Sequence, residues 1–361
     1  MKASSGLLDR LAHQHGLLTT PLVGTVLVLL AVALAGALYL RTRRAGGIRP
    51  LGTGRFTVRA AAVLAVLVLA AAGYVNAYAG YLPTAQALAQ AVTLTPGATA
   101  GGQLTSVQID APALRMGHGE TDIWTPAGYS SSPHRRYPVL YLITGSPGAP
   151  ADWFRAGRLA ETLDALTKAG RMPPAIVVAM NTGAGLVGDT ESLDVVGGPQ
   201  VETYYTHVVV PYVDSHYRTL PDRADRVLGG ISSGGYGALN VGLHHTDLFA
   251  TILAFEPYGD PGPGTAYTLL GGDQARFRAN SPSVYIPTMR FTVPVSVFLD
   301  VGGATGPDVA QVRALADALR ARGQDVLFRV EPGQHHTWSE TAAGLPYGLA
   351  FAGQHLGHGP R

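Results

Sequence analysis

The segment most informative about the fold of this chain is Val227-Leu228-Gly229-Gly230-Ile231-Ser232-Ser233-Gly234-Gly235-Tyr236-Gly237-Ala238-Leu239. An apolar run ends in Gly-Ile-Ser-Ser-Gly, and a helix-compatible segment, residues 238–245, follows directly. This order predicts a nucleophile elbow, a sharp strand-to-helix turn with a reactive serine, here Ser232, at its apex. Gly230 and Gly234 fit because the backbone at such a turn leaves little room for side chains. In a chain with 46 glycines, an ordinary Gly-rich turn is the alternative.

Two long apolar segments precede the elbow. Residues 17–40 contain no charged side chain, and residues 60–82 open a charge-free gap that ends only at Asp110. Each is long enough to cross a bilayer core, which takes ~20 residues in a helix. We therefore predict two transmembrane helices, with two buried core helices as the alternative.

The connection between these segments is rich in arginine and has no acidic residue. Short loops of this kind stay on the cytoplasmic side of a membrane. Everything after about residue 82 is then predicted to be extracytoplasmic in a multi-pass membrane protein. The arginines are Arg41, Arg43, Arg44, Arg49, Arg55 and Arg59.

The composition of the chain excludes several classes of function. The formal net charge of the 361 residues is only +2, so nothing predicts nucleic-acid binding. The chain has no cysteine, which excludes disulfides, thiolate metal sites and a cysteine nucleophile. We predict a membrane anchor over residues 1–82, a linker over residues 83–104 with a helix near residues 84–92, and one domain over residues 105–361.

Within that domain, short apolar runs alternate with helix-like segments. Continuous apolar strands between helices are typical of a mostly parallel sheet covered by helices on both faces, an α/β fold. The predicted helices are residues 159–169 and 309–322. The predicted strands are residues 138–143, 175–180, 227–231, 251–255, 295–299 and 326–330.

Several motifs in order along this domain resemble the putative-esterase family of α/β-hydrolases, which includes esterase D, feruloyl esterases and bacterial mycolyltransferases. They are Trp124-Thr125-Pro126-Ala127-Gly128-Tyr129, the run from Tyr137 to Gly145, Ala151-Asp152-Trp153, Val210-Pro211-Tyr212-Val213, the elbow, and Gly333-Gln334-His335-His336-Thr337-Trp338. The resemblance implies an α/β-hydrolase fold that acts through a serine nucleophile and needs no metal or organic cofactor.

A serine nucleophile requires a base within hydrogen-bond reach and an acid that orients that base. In this architecture the base follows the last strand, where His335 and His336 lie. The family carries a His-x-Trp pattern there, so we assign His336 as the base, with His335 as the alternative.

The acid is predicted to be Asp308, because the family places its acid after the strand at residues 295–299. Asp308 also precedes a helix, with Gln311 three residues later, so it could instead be an N-cap in a capping box. Asp300 and Glu256, each next to a strand end, are the substitutes.

The oxyanion hole of such enzymes uses two backbone amides. The residue after the nucleophile, Ser233, supplies one. The resemblance implies Ser146, in the turn after residues 138–143, as the other.

Together these features predict a membrane-anchored extracytoplasmic serine esterase that acts on a small-molecule, lipid or cell-envelope ester. A mycolyltransferase-like acyltransferase and a non-catalytic binding module with the same fold are the alternatives.

Overall fold

The computed structural model describes residues 2–14, 16–46, 53–93, 101–117, 119–183, 189–262 and 264–357. The chain divides into two compact units, one of residues 1–13 with 95–361 and one of residues 14–94. Arg49 of the predicted loop and residues 94–100 of the predicted linker lie outside the described residues.

The helices and strands are numbered in chain order. The α-helices are α1 Lys2–Ala12, α2 Pro21–Arg44, α3 Thr53–Ala79, α4 Ala85–Thr93, α5 Asp152–Arg155, α6 Leu159–Lys168, α7 Val201–Tyr204, α8 Val210–His216, α9 Ser233–His244, α10 Thr265–Thr268, α11 Gln274–Ala279, α12 Pro282–Tyr285, α13 Gly306–Ala321 and α14 Trp338–His355. A π-helical turn, Tyr205–Val209, joins α7 to α8, and short 3-10 turns lie at Leu17–Thr19, Pro112–Leu114, Arg223–Asp225 and Ile286–Thr288. The strands are β1 Gln103–Gln108, β2 Glu120–Thr125, β3 Val139–Ile143, β4 Ile176–Met180, β5 Arg226–Ile231, β6 Thr251–Phe255, β7 Ser296–Gly302 and β8 Asp325–Glu331.

The described strands form one eight-stranded sheet in the order β1-β2-β4-β3-β5-β6-β7-β8. Strands β3 to β8 pair in parallel, and β2 pairs antiparallel with β1 and β4. All five residues of β3, β4 and β6 are buried, which explains their continuous apolar sequences. The predicted mostly parallel α/β sheet is confirmed.

Helices cover both faces of the sheet. Alternate residues of β3 point to opposite sides, so Leu140 and Leu142 pack with α6 and α14, whereas Tyr141 and Ile143 pack with α8 and α9. Helix α13 packs over β7 and β8 through Val312, Leu315 and Leu319. The carboxyl ends of the parallel strands therefore meet at one edge, where this architecture carries its site.

The second unit contains the two helices α2 and α3, which pack against each other. Both are long and apolar enough to span a membrane, as predicted for residues 17–40 and 60–82. The side-chain amide of Asn76 donates to the carbonyl oxygens of Leu18 and Leu82 at 2.9 Å each. These bonds connect the segment before α2 to the segment after α3.

The helix at the start of the chain belongs to the other unit. Leu8 of α1 is buried in the apolar cluster that contains Leu345 and Leu349 of α14. The Tyr347 hydroxyl of α14 donates to the carboxylate of Asp9. The prediction had grouped these first residues with the anchor, whereas in the structure they pack on the sheet-containing unit.

Candidate active site

Ser232 lies at a strained turn between the end of β5 and the start of α9. Its backbone has φ 59° and ψ −122°, a region that residues other than glycine rarely occupy. Such strain persists only where the surrounding structure imposes it, and it clusters at functional sites. The geometry is that of the nucleophile elbow expected from the sequence.

Gly230 and Gly234 allow this turn by close backbone packing. A Cβ atom at Gly230 would lie 1.9 Å from the carbonyl oxygen of Gly234. A Cβ atom at Gly234 would lie 2.4 Å from the carbonyl oxygens of both Ile143 and Thr144. A side chain at Gly230 would push the start of α9 away from β5, and one at Gly234 would push it away from the end of β3.

His336 is the histidine that the structure brings to Ser232. Its Nε2 atom lies 2.8 Å from Ser232 Oγ. The loop that carries it connects β8 to α14, and Trp338, two residues later, is buried edge-on against Trp153 with ring centroids 5.3 Å apart. His336, and not the alternative base His335, is therefore the histidine with an observed hydrogen bond to Ser232.

The carboxylate beside His336 belongs to Glu256. Its Oε2 atom lies 3.3 Å from His336 Nδ1, and its side chain is only 2% exposed. Glu256 directly follows β6, the strand next to β5, and the Gly302 amide donates to its Oε1 atom at 2.9 Å. A buried, hydrogen-bonded carboxylate on Nδ1 fixes the tautomer in which Nε2 can accept a proton from the serine.

Asp308, the acid predicted from the sequence, makes no hydrogen bond or ion pair with His336. Strand β7 extends to Gly302 and α13 begins at Gly306, so the loop that was to carry the acid shrinks to three residues. Asp308 lies in the first turn of α13, and Thr305 precedes the helix as its N-cap. The predicted N-cap role is therefore wrong as well, although a carboxylate in the first turn still favours the helix dipole.

Asp300, the other substitute, is fully buried on β7 and faces Glu340 of α14 rather than His336. Among the three candidate carboxylates, Glu256 alone contacts the histidine. The sheet order explains this contact, because β6 is the immediate neighbour of β5, the strand that leads into Ser232.

The environment of His336 favours its protonated form. The hydrogen bond to Glu256 raises the pKa of His336 above its usual value, against an opposing effect of burial. The charges of Glu256 and, less strongly, Asp308 raise it further. A histidine that gains stability as the imidazolium suits a base that must hold a proton during the reaction.

The turn after β3 lies directly against the nucleophile. A Cβ atom at Gly145 would be 3.0 Å from Ser232 Cβ and 3.7 Å from Ser232 Oγ. Ser146 is the next residue of this turn, and Ser233 begins α9 at the positive end of that helix. The oxyanion roles of Ser146 and Ser233 stay predictions.

Sequence reasoning did not identify the aromatic support of the site. Trp153 contacts Trp338 behind the base and also packs edge-on against Phe255, the residue before Glu256, at 6.2 Å between ring centroids. One indole ring therefore supports both loops that carry the base and the acid. Among the described residues, no group of three or more His, Asp or Glu side chains is arranged to hold a metal ion.

The sheet order, the elbow and the serine–histidine contact define an α/β-hydrolase. The chain belongs to the family described as Putative esterase, whose sequence profile matches residues 120–350.

Similar proteins include an uncharacterized protein of Corynebacterium glutamicum, 30% identical over 165 residues that cover 44% of this chain and 38% of that protein. An esterase of Mycobacterium tuberculosis is 31% identical over 210 residues, covering 52% of this chain and 43% of the esterase. The chain thus spans about two fifths of the length of these curated relatives. A solved ferulic acid esterase has the same fold, with a TM-score of 0.61, 23% identity, and coverage of 71% of this chain and 99% of that one.

Proposed function

We propose that this chain is a serine esterase that cleaves a carboxylic ester through a Ser232–His336–Glu256 triad and an acyl-enzyme. The observation that carries the proposal is the continuous set of contacts from Ser232 Oγ to His336 Nε2, 2.8 Å, and from His336 Nδ1 to Glu256 Oε2, 3.3 Å. Serine hydrolysis needs a nucleophile, a base and an orienting acid in this order of contact.

In the first half of the reaction, Ser232 Oγ attacks the ester carbonyl carbon while His336 Nε2 takes the serine proton. The negative charge that develops on the carbonyl oxygen is stabilised by the backbone amides of Ser233 and Ser146. His336 then donates its proton to the alkoxide leaving group, which departs as the alcohol. Glu256 remains ionised and stabilises the imidazolium in between.

In the second half, a water molecule replaces the alcohol. His336 removes a proton from the water, which attacks the acyl carbon, and returns that proton to Ser232 Oγ as the acid is released. Family membership and the relative named as an esterase support an ester as the substrate.

We also propose that α2 and α3 anchor the enzyme in a membrane. The packing of α1 on α14 supports a specific topology, because it requires residues 2–12 and the hydrolase unit to lie on the same side. Two membrane crossings, by α2 and α3, between residues 2–12 and the hydrolase unit satisfy this requirement. The arginines at both ends of the α2–α3 connection favour the cytoplasm for that loop, so the hydrolase unit faces outward.

A fluorophosphonate probe tests the catalytic proposal on the full chain in detergent. We expect covalent labelling of Ser232, loss of labelling in Ser232→Ala, and retained labelling in the matched variant Ser233→Ala, because Ser233 acts through its amide. Absence of labelling in the folded wild-type protein would instead favour a non-catalytic binding module.

Reporter fusions test the anchor separately. A fusion after residue 100 should report an extracytoplasmic position and one near Gly47 a cytoplasmic position. The reverse pattern would overturn the topology and leave the triad proposal intact.

A further inference from the structure

Three further carboxyl groups lie beneath the site, and the mechanism above does not use them. Asp300 on β7 and Glu340 in the first turn of α14 are fully buried, and Glu331 at the end of β8 is nearly so. Burying a charge without a partner costs several kcal/mol, so each of these groups needs a physical account.

Glu331 has a cationic partner. Arg329 donates from Nε and from an Nη atom to Glu331 Oε1, at 2.9 and 2.8 Å. The guanidinium also lies over the Tyr347 ring, 3.4 Å from its centroid. Glu331 is therefore accounted for as one half of an ion pair.

Asp300 has no such partner among the described residues. Neither of its carboxyl oxygens accepts a hydrogen bond from an N–H or hydroxyl donor. The group that faces it within hydrogen-bond range is the carboxyl of Glu340. Glu340 accepts one hydrogen bond, from the Thr341 hydroxyl at 3.0 Å, and its Oε1 atom has no donor.

The backbone of α14 packs closely against Asp300. A Cβ atom at Gly344 of α14 would lie 1.5 Å from Asp300 Oδ2, so the helix backbone rests directly on the carboxyl group. Two facing carboxyl groups in a dry, low-dielectric site cannot both ionise. Burial raises the pKa of both Asp300 and Glu340 well above the usual range. The charge of Asp300 raises the pKa of Glu340 further, whereas Arg329 and the hydrogen bond with Glu340 partly oppose the rise at Asp300.

Asp300 is also joined to the proposed acid through the backbone. The Glu256 amide donates to the Asp300 carbonyl at 2.8 Å, and the Gly302 amide donates to Glu256 Oε1 at 2.9 Å. The segment from Asp300 to Gly302 therefore holds both the main chain and the carboxylate of Glu256. Helix α14, which carries Glu340, begins two residues after His336.

We propose that Asp300 and Glu340 share a proton and act as positioning residues, locking the strand that holds Glu256 to the helix that follows His336. The O–H of one carboxyl donates to the other across β7 and α14. The proton also limits the pair to one negative charge, which reduces the repulsion between the pair and Glu256. This inference rests on the proposed triad.

Charged groups from every neighbouring element act on the pair. Glu256 at the end of β6 and Glu331 on β8 disfavour its ionisation, whereas Arg329 on β8 favours it. On balance the pKa of both groups stays well above the usual carboxyl range, with burial as the main cause.

The thermal stability of Asp300→Asn tests the shared proton without any substrate. Because the pKa of Asp300 is raised on folding, the wild-type protein loses stability as pH rises above the unfolded value near ~4 towards the folded value. Asparagine keeps the hydrogen bond but does not titrate. We expect the Tm of Asp300→Asn minus that of wild type, measured on the full chain in detergent, to increase steadily with pH.

Glu340→Gln should behave in the same way, and it keeps the test decisive if Asp300→Asn does not fold. The exposed Asp317→Asn is the matched control, for which the Tm difference should not change with pH. A Tm difference that is independent of pH in both buried variants would overturn the shared proton. Since no activity enters the measurement, this outcome is distinct from failure of the triad.

The positioning role is tested by kcat for an aryl ester. Asp300→Ala should lower kcat by about 10-fold or more with little change in KM, because small displacements of a catalytic group cost rate. Asp300→Asn should recover most of that loss as the isostere of the protonated acid. Equal losses in the Ala and Asn variants would overturn a neutral, proton-sharing role.

Discussion

Ser232 and Glu256 occupy equivalent places on neighbouring strands. Each directly follows one member of the paired residues Ile231 and Phe255, and each has a positive φ, 59° for Ser232 and 51° for Glu256. The Ser232 amide donates to the Phe255 carbonyl at 2.9 Å, so the nucleophile and the carboxylate are fixed to each other through one strand pairing. His336 bridges them from above the sheet edge.

This relationship predicts that Glu256 contributes far more to kcat than Asp308 does. Glu256→Gln should lower kcat by up to about 10⁴-fold, since loss of the orienting carboxylate leaves the histidine in the wrong tautomer. Asp308→Asn should change kcat little, because Asp308 acts on His336 only through its charge. Steady-state hydrolysis of an aryl ester measures both. A severe loss in Asp308→Asn with normal Glu256→Gln would restore the acid predicted from the sequence.

The pH dependence of kcat/KM should follow His336. His336 must be neutral to accept the serine proton, so activity falls as pH drops through its pKa, which Glu256 raises. Glu256→Gln removes the main cause of that rise, and we expect the acidic limb to move to lower pH. Asp308→Asn should move it in the same direction by less. An acidic limb at unchanged pH in Glu256→Gln would contradict the contact between Glu256 and His336.

The same contact has a linked effect on stability. Because the folded pKa of His336 is raised, its charge stabilises the fold below the unfolded pKa, and this contribution disappears as pH rises through the folded pKa. As pH rises from the unfolded to the folded pKa of His336, the difference in stability between the wild-type protein and Glu256→Gln should therefore shrink.

Gly234→Ala should destabilise the hydrolase unit, because the added Cβ atom would meet two backbone oxygens at 2.4 Å. Overpacking of this kind costs about 1–3 kcal/mol. The matched control is Gly306→Ala in the first turn of α13, where an added Cβ atom has no atom within 4 Å. Thermal melting should show a clear loss for the first variant and none for the second. Equal Tm values would mean that α9 can move away from β3 without cost.

Leu8→Ala should also lower the melting temperature of the hydrolase unit, although Leu8 precedes both α2 and α3 in the chain. Leu8 is 8% exposed in the cluster with α14, and truncating a buried leucine costs about 2–5 kcal/mol. Arg10→Ala, at an exposed position of the same helix, is the control. An unchanged Tm in Leu8→Ala would show that α1 does not dock on α14.

The six parallel strands β3 to β8 could be predicted to within a few residues because parallel strands covered on both faces are continuous apolar runs. The edge strand β8 also has an apolar sequence, although Glu331 is its one buried residue. Strands β1 and β2 were not predicted, since β1 is mostly exposed and β2 contains buried Thr121 and Asp122, so neither gives a simple pattern. Helix α14 was missed because Gly344, Pro346 and Gly348 disfavour helix in isolation, and its packing against the sheet outweighs that preference.

The residues of the site also differ in whether the sequence alone could reveal them. Ser232 and His336 could be found because a turn motif and a residue pattern identify them locally. The carboxylate could not, because its identity depends on which strand end lies beside the histidine, a property of sheet order and of where β7 stops. Asp300, predicted at a strand end, lies inside β7, which continues to Gly302, and its side chain is turned towards α14.

The edge-on pair Trp153 and Trp338 also gives the protein an internal optical probe. The chain has three tryptophans, and these two lie with ring centroids 5.3 Å apart directly beneath the histidine loop. Coupled indole rings at that distance produce a near-ultraviolet circular dichroism signal that depends on their mutual orientation. Opening of the loop, whether by heat or by a bound ligand, would therefore be visible in the unlabelled protein.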